Sequence, residues 1–187
     1  MTENVADLKA RLRTTVLKNR SSSFASETAE RYGKLLMELC SQVGARTVGV
    51  YLSFGSEPAT DLFILKAKTS GLLLAAPRTG PESSMEFGLL EGPTASSALG
   101  FLQPVGDVVE HNELDLIIAP ALSVDKFGTR LGRGGGFFDR YLEDFQGPVV
   151  AVVYHGEFVN ELPFEAHDRP VSFAVTEDGI KQLPLKR

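Results

Sequence analysis

Hydrophobic positions along this chain change period as it proceeds. Over residues 4–18, Val5, Leu8, Leu12 and Val16 recur at helical spacing, with Lys9, Arg11, Arg13 and Lys18 among them. A serine run at 21–23 breaks that helix. A second helix is predicted from about Ser26, an N-cap candidate with Glu27 in the first turn, to about Gln42. Tyr32, Leu35, Leu36 and Leu39 form its apolar stripe, Cys40 beside them reads as a small buried hydrophobe, and Gly44 ends it. The pattern then alternates. Residues 47–52 read as a strand. Thr60 is placed to cap a short helix over 61–69 that Gly71 stops. Continuous apolar runs at 72–76 and 114–119 have the character of strands buried on both faces. Further strands are predicted at 85–90, 149–153 and 171–176, and a helix at 137–145. Strand and helix in alternation predict one layered α/β domain over 1–187 with a mostly parallel sheet and a helical N-terminal segment at about 4–42. The Gly/Pro/Ser-rich segment 79–106 reads as surface loops with a peripheral hairpin.

Composition narrows the class. The 187 residues are 43% hydrophobic and 23% charged, ordinary for a globular domain and unlike a disordered chain. One cysteine permits no internal disulfide, and with three histidines it argues against a structural zinc site. The first 20 residues are charged throughout, without the apolar core of a signal peptide. No apolar run approaches the ~18–20 residues needed to cross a bilayer. The expectation is a cytoplasmic protein with no membrane partner. A net charge of −5 also argues against nucleic-acid binding through the basic helix 4–20. Any phosphate chemistry must come from a local cluster of cations.

Such a cluster occurs at 120–141, PALSVDKFGTRLGRGGGFFDRY, between a buried strand and a predicted helix. A glycine-rich turn in that place can bring backbone N–H groups to an anion, and a helix N-terminus adds partial positive charge. Arg130 and Arg133 offer bidentate forks for phosphate, and Asp139 is a candidate magnesium ligand. The segment is neither a Walker A loop nor a Rossmann fingerprint. A surface loop with a basic face is the plain alternative. Lys9 and Arg13, four apart, either clamp further phosphates or form a solvated basic face.

The run Arg-Leu-Gly-Arg-Gly-Gly-Gly-Phe-Phe-Asp-Arg-Tyr at 130–141 resembles the signature of the 5-formyltetrahydrofolate cyclo-ligase family, commonly NRLGRGKGYYD. Lys9-x-x-x-Arg13, Tyr51-Leu52-Ser53 followed by Glu57, Pro77-Arg78, 101–104, 120–125 and His167-Asp168-x-Pro170 fall in the family's order. The resemblance implies a three-layer, Rossmann-like α/β sandwich, acting as a monomer or weak homodimer. It implies ATP- and magnesium-dependent closure of 5-formyltetrahydrofolate to 5,10-methenyltetrahydrofolate. By position it assigns ATP to Lys9, Arg13, Arg130, Leu131, Gly132, Arg133, Gly134, Gly135, Gly136, Phe137 and Phe138, and magnesium to Asp139. It assigns folate to Leu52, Glu57, Arg133, Gly136 and Phe137, with Arg133 and Arg130 as the catalytic pair.

The sequence departs from the pattern in four places. Gly135 stands where lysine is common, Phe137 and Phe138 where tyrosines are, and Ser172 where an aspartate often joins the magnesium site. Single charge contacts of this kind are worth about 10²–10³ in rate. A folate-binding or regulatory paralogue with little catalysis is therefore the alternative. Asp168 and Arg140 are candidate compensators, although Asp168 reads first as a turn cap. His111, His155 and His167 read as surface or structural residues.

Overall fold

The computed structural model describes residues 4–20, 22–80, 84–97, 100 and 102–184, with 22–24 described by backbone alone. Ser21 of the expected helix break and Phe101 of the 101–104 match lie outside these residues. The chain starts with helices α1 (Val5–Asn19) and α2 (Ser22–Val43). Strand β1 (Thr47–Val50), helix α3 (Asp61–Thr69) and strands β2 (Leu73–Thr79) and β3 (Met85–Leu89) follow. After β4 (Thr94–Ser96), β5 (Leu102–Pro104) and β6 (Val108–Val109) comes the central strand β7 (Leu116–Pro120). The second half contains β8 (Ser123–Asp125), β9 (Arg130–Leu131), α4 (Phe137–Tyr141), β10 (Val149–Val152), β11 (Phe158–Val159), β12 (Phe173–Thr176) and β13 (Gly179–Gln182).

Eight strands form one sheet in the order β13-β12-β10-β7-β1-β2-β3-β6. Its five central strands, β12 to β2, are parallel, and the outer pairings are antiparallel. The central stretches of the parallel strands are apolar because both their faces are covered. On one face Val48, Val50, Leu116, Ile118, Val150 and Val152 meet Tyr32, Leu36 and Leu39 of α2 and Phe63 of α3. On the other, Ile117, Ala119, Val149 and Ala151 meet Tyr141, Leu142 and Phe145. This is the expected α/β sandwich with a mostly parallel central sheet.

Several boundaries differ from the sequence reading. Ser26 lies inside α2 instead of capping it, since the helix starts at Ser22. Thr60 is the N-cap residue of α3, but its hydroxyl donates to Tyr51 O (2.8 Å) and accepts from Ser53 N–H (3.2 Å). Together with the Tyr51 hydroxyl, which donates to Pro58 O at 2.7 Å, it braces the loop after β1. The helix expected over 137–145 stops at Tyr141, because Leu142 and Phe145 are apolar for packing and not for helical period. Cys40 is buried, as expected, and burial pushes its thiol up to about 12.

Helix α1 joins neither face. Leu12 and Val16 pack on Leu122, Leu131 and Leu162 beyond the end of β7. There β8 pairs with β9 and β11 in a small second sheet. Buried Asp125 fixes its turn: one carboxylate oxygen accepts from Phe127 and Thr129 N–H, the other from Leu162 N–H. No helix among the described residues is long and apolar enough to cross a membrane.

Candidate active site

The order in which parallel strands are added reverses between β1, which leads to β2 on one side, and β7, which leads to β10 on the other. Doubly wound sheets open their crevice beyond the strand ends at such a point. A cleft of about 920 Å³ lies there. Its walls are the loop after β1, the segment 130–140, Lys9 and Arg13 of α1 and the turn 165–169, with Met85 and Leu102 also in the lining.

This arrangement brings together every site residue expected from the sequence. Lys9, Arg13, Leu52, Glu57 and the whole run from Arg130 to Asp139 line the one cleft. The geometry adds their partners. Arg13 Nε donates to Gly132 O at 2.9 Å, tying α1 to the glycine segment. Gly134 (φ +100°) and Gly136 (φ +68°) adopt left-handed backbone that a side chain disfavours, so the segment can fold tightly against Arg13 and into α4. Helix α4 has only five residues, so its end adds little dipole and the guanidinium groups dominate the positive field.

Arg130 is almost fully buried. One amino group donates to Asp139 Oδ1 at 2.7 Å and the other to Pro120 O at 3.2 Å. It therefore reaches the cleft chiefly by holding Asp139. Arg133 spans to the opposite wall. Its Nε donates to Glu57 Oε1 at 2.9 Å, and its guanidinium lies 4.7 Å from the Phe54 ring centre. Glu57 is buried, and its second oxygen accepts from Phe54 N–H at 3.2 Å. Arg140 donates to Gly135 O at 2.8 Å and sits over the Phe137 ring, so a cation stands beside the position where lysine is common.

Ser172 does not line the cleft. Its hydroxyl accepts from Val149 N–H at 3.4 Å, at the start of β10. Asp168 does brace its turn, accepting from Glu165 N–H at 2.7 Å, but it also pairs with Lys9. Glu165, Phe54, Arg169 and Glu143 line the cleft and were not singled out in the sequence. His111 stacks on Tyr141 away from the cleft, His155 pairs with Asp178, and exposed His167 sits on the rim.

The family model for 5-formyltetrahydrofolate cyclo-ligases matches residues 5–177. The chain belongs to that family. It is similar to the 5-formyltetrahydrofolate cyclo-ligase of Mycolicibacterium smegmatis, 32% identical over 94% of this chain and 97% of that one. It is 32% identical to the cyclo-ligase of Escherichia coli over 74% of this chain and 81% of the relative. The solved structure of Aquifex aeolicus 5,10-methenyltetrahydrofolate synthetase superposes with a TM-score of 0.82 at 27% identity, covering 96% of this chain and 95% of that one. A second synthetase structure, from Mycoplasma pneumoniae, shares the fold at a TM-score of 0.72 and 21% identity, over 89% of this chain and 97% of that one. The cyclo-ligase fold thus spans essentially the whole of the chain described.

Proposed function

We propose that the protein uses ATP and magnesium to close 5-formyltetrahydrofolate to 5,10-methenyltetrahydrofolate, releasing ADP and phosphate. The carrying observation is the Arg133–Glu57 pair, which joins a carboxylate suited to a pterin to a guanidinium of the glycine segment at 2.9 Å. The formamide oxygen of the substrate is a poor leaving group. Transfer of the γ-phosphoryl to that oxygen makes it a good one. N10 then attacks the activated carbon, the ring closes, and the oxygen departs with the phosphate.

The chain's residues position groups and neutralise charge, which is most of what phosphoryl transfer asks of a protein. Glu57 accepts two parallel hydrogen bonds from the pterin amino and ring N–H groups. Because these compete with Arg133 for the same carboxylate, folate binding frees Arg133 to turn toward the transferring phosphoryl. Arg13, Arg140 and the backbone N–H groups of the glycine segment hold the nucleotide phosphates. Leu52 and Phe54 cover the folate ring.

Asp139 fits a magnesium role. One of its oxygens takes Arg130 and, at 3.5 Å, Arg169 N–H, and the other has no hydrogen-bond partner among the described residues. One carboxylate together with phosphates and waters suits magnesium, which bridges phosphate oxygens and neutralises their charge when bound. The position of Ser172 outside the cleft and of Arg140 beside Gly135 supports an active enzyme over a non-catalytic paralogue. The single buried thiol suits a reducing, cytoplasmic setting.

The test is to mix purified protein with 5-formyltetrahydrofolate, magnesium and ATP and follow the near-ultraviolet band of the methenyl product. ATP-dependent growth of the band is expected. Folded protein that binds folate without forming product would instead be the non-catalytic paralogue.

A further inference from the structure

Lys9 is the only buried residue of α1 among those described, and it is buried by charge, not by oil. Its ammonium has three N–H donors and meets three carboxylate oxygens: Asp168 Oδ2 at 2.6 Å, Asp168 Oδ1 at 2.8 Å and Glu165 Oε2 at 2.9 Å. The two carboxylates are unlike. The Asp168 side chain is 9% exposed and the Glu165 side chain 34%. Asp168 is further fixed by the N–H of Glu165, and its own N–H donates back to Glu165 O at 2.9 Å. Glu165 has a locked backbone, and its side chain, held by Lys9 and partly exposed, borders the cleft.

Lys9, Asp168 and Glu165 alone sum to −1, with the Arg13 guanidinium also acting on Glu165, and with both carboxylates in place all three Lys9 donors are taken, leaving none for a nucleotide phosphate. The balance changes if one carboxylate leaves. Glu165 can leave, since water receives it at little cost. Asp168 cannot, since it would abandon a buried ammonium. A divalent ion is a poor alternative occupant. Glu165, His167 and Asp168 do bring ligand atoms within 4.8 Å of one another, but the Lys9 ammonium already lies against both carboxylates and would repel it.

We propose that Asp168 is a positioning residue that fixes the Lys9 ammonium for a nucleotide phosphate, and that Glu165 keeps the place a phosphate oxygen takes. The proposal rests on the ATP-dependent reaction above, and it predicts opposite behaviour for two acids on one turn. Asp168→Asn raises KM for ATP and the Kd of a non-hydrolysable ATP analogue about tenfold, the scale of one charge-assisted contact, and leaves KM for folate alone. Glu165→Gln leaves KM for ATP unchanged or lowers it. Lys9→Met combined with Asp168→Asn binds the analogue no more weakly than Lys9→Met alone, because Asp168 acts through Lys9.

Wild-type affinity for ATP in folded Asp168→Asn, or a weakening of similar size in both acid variants, overturns the proposal. If Asp168→Asn does not fold, the wild-type protein decides by nitrogen NMR of the Lys9 ammonium. Protection of its protons from exchange is expected with and without the analogue, and loss of protection when the analogue is added overturns the anchor. The two readings fail separately. Normal turnover with an unaffected Asp168→Asn removes only the positioning role. Analogue binding with the predicted pattern but no product removes only the reaction. A wild-type protein that does not bind the analogue removes both.

Discussion

Arg133 and Glu57 share one hydrogen bond, and the proposed reaction gives each a different substrate. Arg133→Ala removes a fork from the transferring phosphoryl, and kcat/KM should fall by about 10²–10³. The arginine itself is 41% exposed, but its loss leaves the buried Glu57 carboxylate with only the Phe54 N–H, so thermal unfolding should shift downward as well, and the kinetics are read on folded protein below that transition. Steady-state kinetics with unchanged kcat/KM would take Arg133 out of the reaction. Glu57→Gln acts at the other end. One acceptor becomes a donor facing the pterin's own donors, and a hydrogen bond to a charged group is worth about 1.5–3 kcal/mol. KM for folate should therefore rise roughly ten- to a hundredfold. The ATP analogue should bind at least as well as to wild type, since Arg133 loses its charged partner. Equal folate affinity in mutant and wild type, read by calorimetry, would remove Glu57 from the site.

Helix α1 is tied to the body of the protein at its C-terminal end. At its C-cap, Arg20 donates to both oxygens of Glu157 at 2.7 and 2.8 Å and to Ala121 O at 2.6 Å. The pairing outweighs desolvation and raises the Arg20 pKa. Arg20→Met leaves the Glu157 charge buried with only Tyr154 N–H, and should cost about 3–5 kcal/mol. The Lys66–Glu30 pair is as short but exposed, and Lys66→Met should change stability by no more than about 1 kcal/mol. Urea midpoints at constant slope measure both, and equal shifts would contradict this. The same elements explain what could be read from the chain. β7 and β10 were legible because covered parallel strands are apolar without interruption. β13 was not, since Gly179–Gln182 is an edge strand with no apolar period. β8, β9 and β11 are two or three residues long, too short for alternation to register. The glycine–arginine segment and Glu57 were legible as motifs. Glu165 was not, because its partner Lys9 lies 156 residues away and looks, in one dimension, like part of a solvated basic face.

Across the whole molecule, three of the four tyrosines, Tyr32, Tyr51 and Tyr154, link the core to the site. Tyr32 and Tyr154 meet edge to face, and the Tyr51 and Tyr154 hydroxyls donate to Pro58 O and Ser56 O of the Glu57 loop. Burial raises all four phenols: Tyr154 to about 12, and Tyr32, Tyr51 and Tyr141 further from the ordinary value of 10.0. Below pH 10 the phenols are protonated in both folded and unfolded chains, so this contribution to stability is fully present. Above it the unfolded chain releases protons that the folded protein keeps, and stability falls by up to about 1.4 kcal/mol per pH unit for each tyrosine. The phenolate absorbance band should therefore stay flat through pH 10 and then rise in one cooperative step, together with loss of helical circular dichroism. Activity should disappear in the same step, since the loop that presents Glu57 hangs on two of these rings. A tyrosine that titrates with a midpoint near 10 while the circular dichroism holds would mean that at least one phenol is open to water in the folded protein.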